Sequence, residues 1–283
     1  MNKKIIAIGA LGGSGTRAIA EVLIRAGNFV GNDLNNSNDN LLFTRLLKNP
    51  AWYKKASLEQ KNKRLFTFKK LMESGKISPK DLIIYYQSAY TNPTHSSGSE
   101  FYLDVFKSLF SKKISRDVWG WKEPNTQIYV REIFNLFPNL KYVHVLRNGL
   151  DMAFSNNKQQ LNNWGWKYQI HLTGNETKNE IAVKQLDYWI ESTKDVIANS
   201  KGFENRFLMV KHSEFCNNPK KEIDKILEFC EISIPPSKLE ELYKIARTPS
   251  TADRYKNYDL SIFTQTQIQF VEDMGFNIDP SSI

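Results

Sequence analysis

Apolar residues along this chain fall into short unbroken runs separated by longer stretches with helical spacing. Residues 4–9 (KIIAIG), 118–122 (VWGWK), 141–147 (KYVHVLR) and 206–211 (RFLMVK) are runs of the first kind and predict buried strands. After the first strand, Ile19, Val22, Leu23 and Ala26 share one helical face, and Gly27 stands where a helix ends. Residues 32–40 (NDLNNSNDN) read as a polar loop. Lysine-rich helical patterns follow at 41–48, 58–74, 79–90 and 100–110, and predict a helical insertion at about 41–110, a cap over one end of the sheet. Proline cannot continue a ladder, so Glu123-Pro124 ends the second strand. Asn125 or Thr126 then caps a helix running to Phe137, which Pro138 stops. The GLDMAFS segment opens a helix, 157–178 reads as loop, and further helices are expected at 179–199, 219–231 and 262–274. Strands alternating with helices, with no repeat or linker between them, predict one α/β domain, a parallel sheet flanked by helices.

Composition narrows the classes. A hydrophobic share of 41% and six tryptophans in 283 residues suffice for a real core. The net charge of +9 is spread through pairs such as Lys54-Lys55, Lys69-Lys70, Lys112-Lys113 and Lys220-Lys221. That spread suits a solvated basic surface or the steering of an anionic substrate, and no nucleic-acid module accompanies it. Two cysteines, Cys216 and Cys230, lack zinc-ligand spacing, and His95, His144, His171 and His212 are scattered, so no metal site is expected. His144, in the middle of a strand, reads as a core residue. The apolar run behind Lys3-Lys4 is short and leads into GSGTR, and no membrane-spanning segment follows. The expectation is a soluble, cytoplasmic protein.

The densest chemistry lies in residues 5–17, IIAIGALGGSGTR. A strand entering a small-residue turn and then a helix forms an anion site, because amide N–H groups and the helix dipole both favour negative charge. Ser14 and Thr16 add hydroxyls and Arg17 a fixed cation. Three readings compete. Residues 13–18 fit G-x-G-x-x-A, with Asp33 at the distance of a ribose-binding acid, as in NAD(P)-binding oxidoreductases. A nucleotide-kinase loop needs Gly-Lys-Ser/Thr, whereas Gly15 is followed by Thr16-Arg17. Close packing of helix on strand is the third.

A second motif separates them. In YVHVLRNGLDMAFS (142–155) a buried strand delivers Arg147 at its carboxyl end, and Ser155 follows eight residues later, on the same side if 149–155 is helical. A guanidinium and a hydroxyl suit a second, separate phosphate, as on a nucleotide phosphorylated at two distant positions. With both motifs in view, the chain resembles the sulfotransferases that use 3′-phosphoadenosine 5′-phosphosulfate. GGSGTR resembles their 5′-phosphosulfate loop, and Arg147 with Ser155 their 3′-phosphate motif. VWGWKEPN (118–125) and FLMVKHSEFCNNP (207–219) resemble further segments of bacterial members.

The resemblance implies a P-loop-like sheet, a sulfuryl donor gripped by Gly12, Gly13, Ser14, Gly15, Thr16 and Arg17, and no metal. Gly13 departs from the pattern, since many members carry Lys or Arg there; Arg17 and Lys122 are the candidates to neutralise the leaving phosphate instead. Asp33 is the candidate general base, with Glu123 as alternative or as a prop for Lys122. Arg254 and Lys256 resemble a basic segment that helps hold the 3′-phosphate, and Lys211 with Ser213 would line the adenosine side. Trp164 and Trp166 suit either a stacking platform for a sugar or packed edges. The acceptor implied is a hydroxyl or amine, of a carbohydrate or glycolipid for preference. A nucleotide-binding module of the same fold without turnover is the non-enzymatic alternative.

Overall fold

The computed structural model describes residues 3–75, 78–90 and 117–278. Four strands, β1 (Lys4–Ala10), β2 (Val118–Lys122), β3 (Leu140–Leu146) and β4 (Phe207–Lys211), form one sheet in the order β2-β1-β3-β4. Every pairing is parallel, with Ile5 opposite Trp119 and Leu140, and Val143 opposite Leu208. A parallel sheet is covered on both faces, which is why these strands are almost continuously apolar.

Alternation along each strand divides the core in two. Ile6, Ile8, Ala10, Val143, Val145 and Val210 face one layer, packed by α1 (Thr16–Arg25) through Ile19, Ala20, Val22 and Leu23. Ile5, Ala7, Trp119, Trp121, Leu140 and Tyr142 belong to the other. The helices after α1 include α2 (Leu41–Leu47), α3 (Pro50–Lys55), α4 (Leu58–Ser74) and α5 (Pro79–Tyr90). Rather than capping an end of the sheet, they join this second core. Phe43 stacks on Trp121 at 5.8 Å, and Phe68 meets Trp119 and Trp121 edge-on at 6.1 and 5.1 Å. Such pairs add about 0.5–1.5 kcal/mol each beyond their buried area. The helix expected at 100–110 lies outside the described residues.

The middle and end of the chain contribute α6 (Val130–Leu136), α7 (Gly149–Ala153), α8 (Gln159–Trp164), α9 (Lys178–Ser200), α10 (His212–Asn217), α11 (Pro219–Phe229), α12 (Pro236–Tyr243) and α13 (Gln265–Asp273). Four expectations need correcting. The segment at 157–178 is not all loop, because Gln159–Trp164 is helical and Gly165–Tyr168 is a 3₁₀ turn. The cap before Phe137 is neither Asn125 nor Thr126 but Glu123, whose carboxylate accepts from the Asn125 N–H at the head of a 3₁₀ helix, Pro124–Tyr129. The helix after β3 stops at Ala153, so Ser155 lies beyond it. Of the two uses open to Trp164, the platform falls and packing stands: its ring is fully buried and its Nε1 donates to Asn125 Oδ1 at 2.7 Å. His144 is buried as expected, its Nδ1 3.1 Å from the Tyr142 hydroxyl.

Candidate active site

The turn between β1 and α1 is built by left-handed glycines, Gly13 at φ +93 and Gly15 at φ +88. Gly15 has a second reason to lack a side chain: a Cβ there would sit 2.0 Å from Cδ2 of His212. Ser14 N–H donates to the Leu11 carbonyl at 3.1 Å, and the Ser14 and Thr16 side chains are buried within the turn. The first amides of a helix have no acceptor inside it, so those of Thr16 and Arg17 remain available to an anion, while the Ala18 N–H donates to the Gly15 carbonyl at 3.2 Å. Arg17 is exposed on the first turn of α1 and has no hydrogen-bond or ion-pair partner among the described residues.

From β2, immediately beside β1, comes Lys122. Only 2% exposed, it donates to the Ser37 carbonyl at 2.8 Å and to Asp39 Oδ1 at 2.5 Å. Asp39 belongs to a loop tied down by its neighbour. Asn40 N–H donates to the Lys122 carbonyl, Asn40 Nδ2 to the Val30 carbonyl, and Asn40 Oδ1 caps α2 through the Phe43 N–H, each at 2.8 Å. Glu123 is buried; Asn125 N–H and Nδ2 donate to its two oxygens, and Lys48 Nζ lies 3.9 Å away. Burial pushes its carboxyl above the ordinary range, the Lys48 charge opposing.

Arg147 follows β3 directly. Its guanidinium donates to the Gly13 carbonyl at 3.0 Å and to the carbonyl and hydroxyl of Thr251, and lies 3.6 Å from Asp151. Burial holds its pKa below the usual value, the Asp151 charge working against it. His212, at the start of α10, is pushed down to about 4 by burial and then by the Arg147 charge, so it is neutral near pH 7.

These groups converge on one cavity of about 400 Å³ at the carboxyl ends of β1, β2 and β3. Gly12, Gly13, Gly15, Thr16, Arg17, Lys122, Glu123 and Arg147 line it, as do Asp39, Lys48, Asn157 and His212. Among the described residues, four cations thus face two carboxylates. Several expected residues stand apart. Ser14 is packed inside the turn. Asp33 does not line the cavity and pairs with Arg45, which also reaches the Tyr85 hydroxyl at 3.2 Å. Ser155, two residues from the lining Asn157, accepts that residue's N–H at 3.2 Å. Arg254 donates to the Thr251 carbonyl at 3.2 Å and so flanks Arg147, whereas exposed Lys256 pairs with Asp253 at 3.4 Å. Lys211 points to the Gly275 carbonyl at 3.1 Å, and its neighbour His212, not Ser213, reaches the cavity. Sequence reasoning missed Asp39, Lys48 and His212. For Asp39 a signal existed: it directly precedes the Asn that caps α2.

Among the described residues no group of three or more His, Cys, Asp or Glu is placed to hold a metal ion, and no helix is long and apolar enough to cross a membrane.

The chain is similar to several known proteins. An uncharacterized protein of Aquifex aeolicus (strain VF5) is 29% identical over 160 residues, 55% of this chain; the match spans about a fifth (19%) of that relative's length. The fold resembles the sulfotransferase domain from the curacin biosynthetic pathway, with a TM-score of 0.51, 12% identity and 99% of each chain covered. It also resembles sulfotransferase STF9 from Mycobacterium avium, with a TM-score of 0.50, 12% identity, and coverage of 99% of this chain and 78% of that one. The profile of the Sulfotransferase family matches residues 6–236, and with the turn, the lysine and the arginine gathered at one cavity, this chain belongs to that family.

Proposed function

We propose that the protein transfers a sulfuryl group from 3′-phosphoadenosine 5′-phosphosulfate to a hydroxyl or amine of a carbohydrate or glycolipid acceptor. The observation that carries the reading is the convergence of three adjacent strand ends on one cation-rich cavity, the N-terminal turn from β1, Lys122 from β2 and Arg147 from β3. The residues fit the donor's chemistry: Gly13 and Gly15, both left-handed, put no side chain of their own in the turn, and Arg17 is a cation without a partner among the described residues.

In this reading the amides of Gly13, Gly15, Thr16 and Arg17, with the Thr16 hydroxyl and the Arg17 guanidinium, hold the 5′-phosphosulfate. Lys122 neutralises the charge that grows on the bridging oxygen, the task a Lys or Arg at Gly13 performs in other members. Preorganised donors at the leaving oxygen carry most of such a reaction. Arg147, with Arg254 beside it and Ser155 and Lys256 farther out, serves the 3′-phosphate. A basin of about 870 Å³ sharing Gly15, Arg17 and His212 with the cavity leaves room for the nucleoside. The described part of the cavity wall supports a polar acceptor: it carries Asn125, Asn157, Gln159 and Gln160, and no Phe, Tyr or Trp. Aryl and steroid acceptors call for apolar walls.

A thermal-shift experiment tests the donor. Adenosine 3′,5′-bisphosphate at a hundred times its Kd would stabilise the fold by about 2.7 kcal/mol. No shift, or a shift with NAD(P) instead, overturns the reading. Transfer of ³⁵S-labelled sulfonate to candidate glycans then separates an enzyme from a nucleotide-binding module.

A further inference from the structure

Resting on that reading, we infer that Asp39 takes the proton of the acceptor, and that Lys122 keeps this carboxylate occupied until the donor draws the ammonium away. The polar loop at 32–40 carries two aspartates, and the fold sends them to different places. Asp33 is turned to Arg45, outside the cavity. Asp39 lines the cavity with its side chain 19% exposed. Its position is fixed from both sides: Asn35 Nδ2 donates to Oδ2 at 2.8 Å, Asn35 Oδ1 accepts the Asp39 N–H at 2.9 Å, and Asn40 is bound to β2 and to α2. Glu123 is the competing carboxylate. Its side chain is 2% exposed, and both its oxygens already accept hydrogen bonds from Asn125. Among the described residues, Lys122 and Glu123 from the end of β2, Lys48 beyond α2, Arg17 from α1 and Arg147 beyond β3 are the charges that share the cavity with Asp39.

The Lys122 ammonium divides its N–H groups between the Ser37 carbonyl and Asp39. A phosphosulfate entering beside it competes for the same ammonium. Lys122 that turns to the bridging oxygen leaves Asp39 Oδ1 without its donor, and so open to the acceptor's O–H at the moment an acceptor is needed. The acceptor O–H proton then passes to an Asp39 oxygen while the acceptor oxygen bonds to sulfur. The bond from sulfur to the bridging oxygen breaks, and its electron pair stays on the 5′-phosphate, facing Lys122. Donor binding and base activation are thereby one event.

The test compares Asp39→Asn and Asp33→Asn by two readouts, calorimetric affinity for adenosine 3′,5′-bisphosphate and release of ³⁵S-sulfate from labelled donor with water as acceptor. Asp39→Asn is expected to tighten the bisphosphate roughly tenfold, because Lys122 is no longer held away from it. The same substitution is expected to slow sulfate release by on the order of 10². Three results overturn the inference: weakened affinity in Asp39→Asn, affinity and release both equal to the parent, or release lost only in Asp33→Asn. A parent protein that binds no bisphosphate overturns the donor reading as well, so the two failures are distinguishable.

Discussion

Replacing Gly15 by alanine tests how closely the turn after β1 is fitted to His212, which follows β4. Two costs follow from the structure. An alanine at φ +88 occupies the left-handed region, at roughly 1–2 kcal/mol. Its Cβ would also fall 2.0 Å from His212 Cδ2 and 2.2 Å from Nε2, inside any allowed contact, so the imidazole must move. That ring is buried, and such overpacking costs about 1–3 kcal/mol. Together they predict a melting temperature lower by on the order of 10 °C. The two contributions separate in a double-mutant cycle with His212→Ala, since deleting the ring removes the clash and leaves the backbone cost. A favourable coupling of about 1–3 kcal/mol is expected. Gly15→Ala melting with the parent, or losing the same stability whether or not the ring is present, refutes the reasoning.

Lys122→Ala should lower labelled sulfonate transfer by on the order of 10²–10³, as does loss of one preorganised donor to a leaving oxygen; full turnover in both Lys122→Ala and Arg17→Ala would remove the proposed electrostatics. His144 and His212 are held down by burial to about 3 and about 4, against 6.5 in the unfolded chain, so below pH 6.5 the unfolded state binds more protons. Stability should therefore be full above about pH 6.5 and fall as pH drops towards 4; urea midpoints constant from pH 7 to 4.5 would refute this. Trp164→Phe leaves Asn125 Oδ1 without its 2.7 Å donor in the core, at about 1–3 kcal/mol by urea titration, and an unchanged midpoint would contradict the packing.

The sheet was legible because burial on both faces leaves a short, unbroken apolar signature, and the four predicted runs are the four observed strands. The place of the turn and of Arg147 at one cavity was legible for a related reason, since both follow directly on buried parallel strands, at their carboxyl ends. Loop carboxylates were harder. Asp33 and Asp39 sit in the same polar stretch, and what distinguishes them is tertiary: Arg45 claims one, Lys122 the other. Trp164 illustrates a second limit. A tryptophan in an Asn- and Gln-rich segment looks exposed until Asn125, far off in sequence, supplies the acceptor that lets its indole N–H be buried. Helices α3, α8, α10 and α12 were missed because each is eight residues or shorter, too brief for a periodic pattern to accumulate.

Arg147 fastens two distant stretches of backbone, the Gly13 carbonyl and Thr251, through one guanidinium. The floor of the cleft is consequently a product of late chain as much as early chain. A polypeptide severed before Thr251 would keep all four strands, yet this clamp would have lost one jaw, and the glycine turn would be the part left unsteadied.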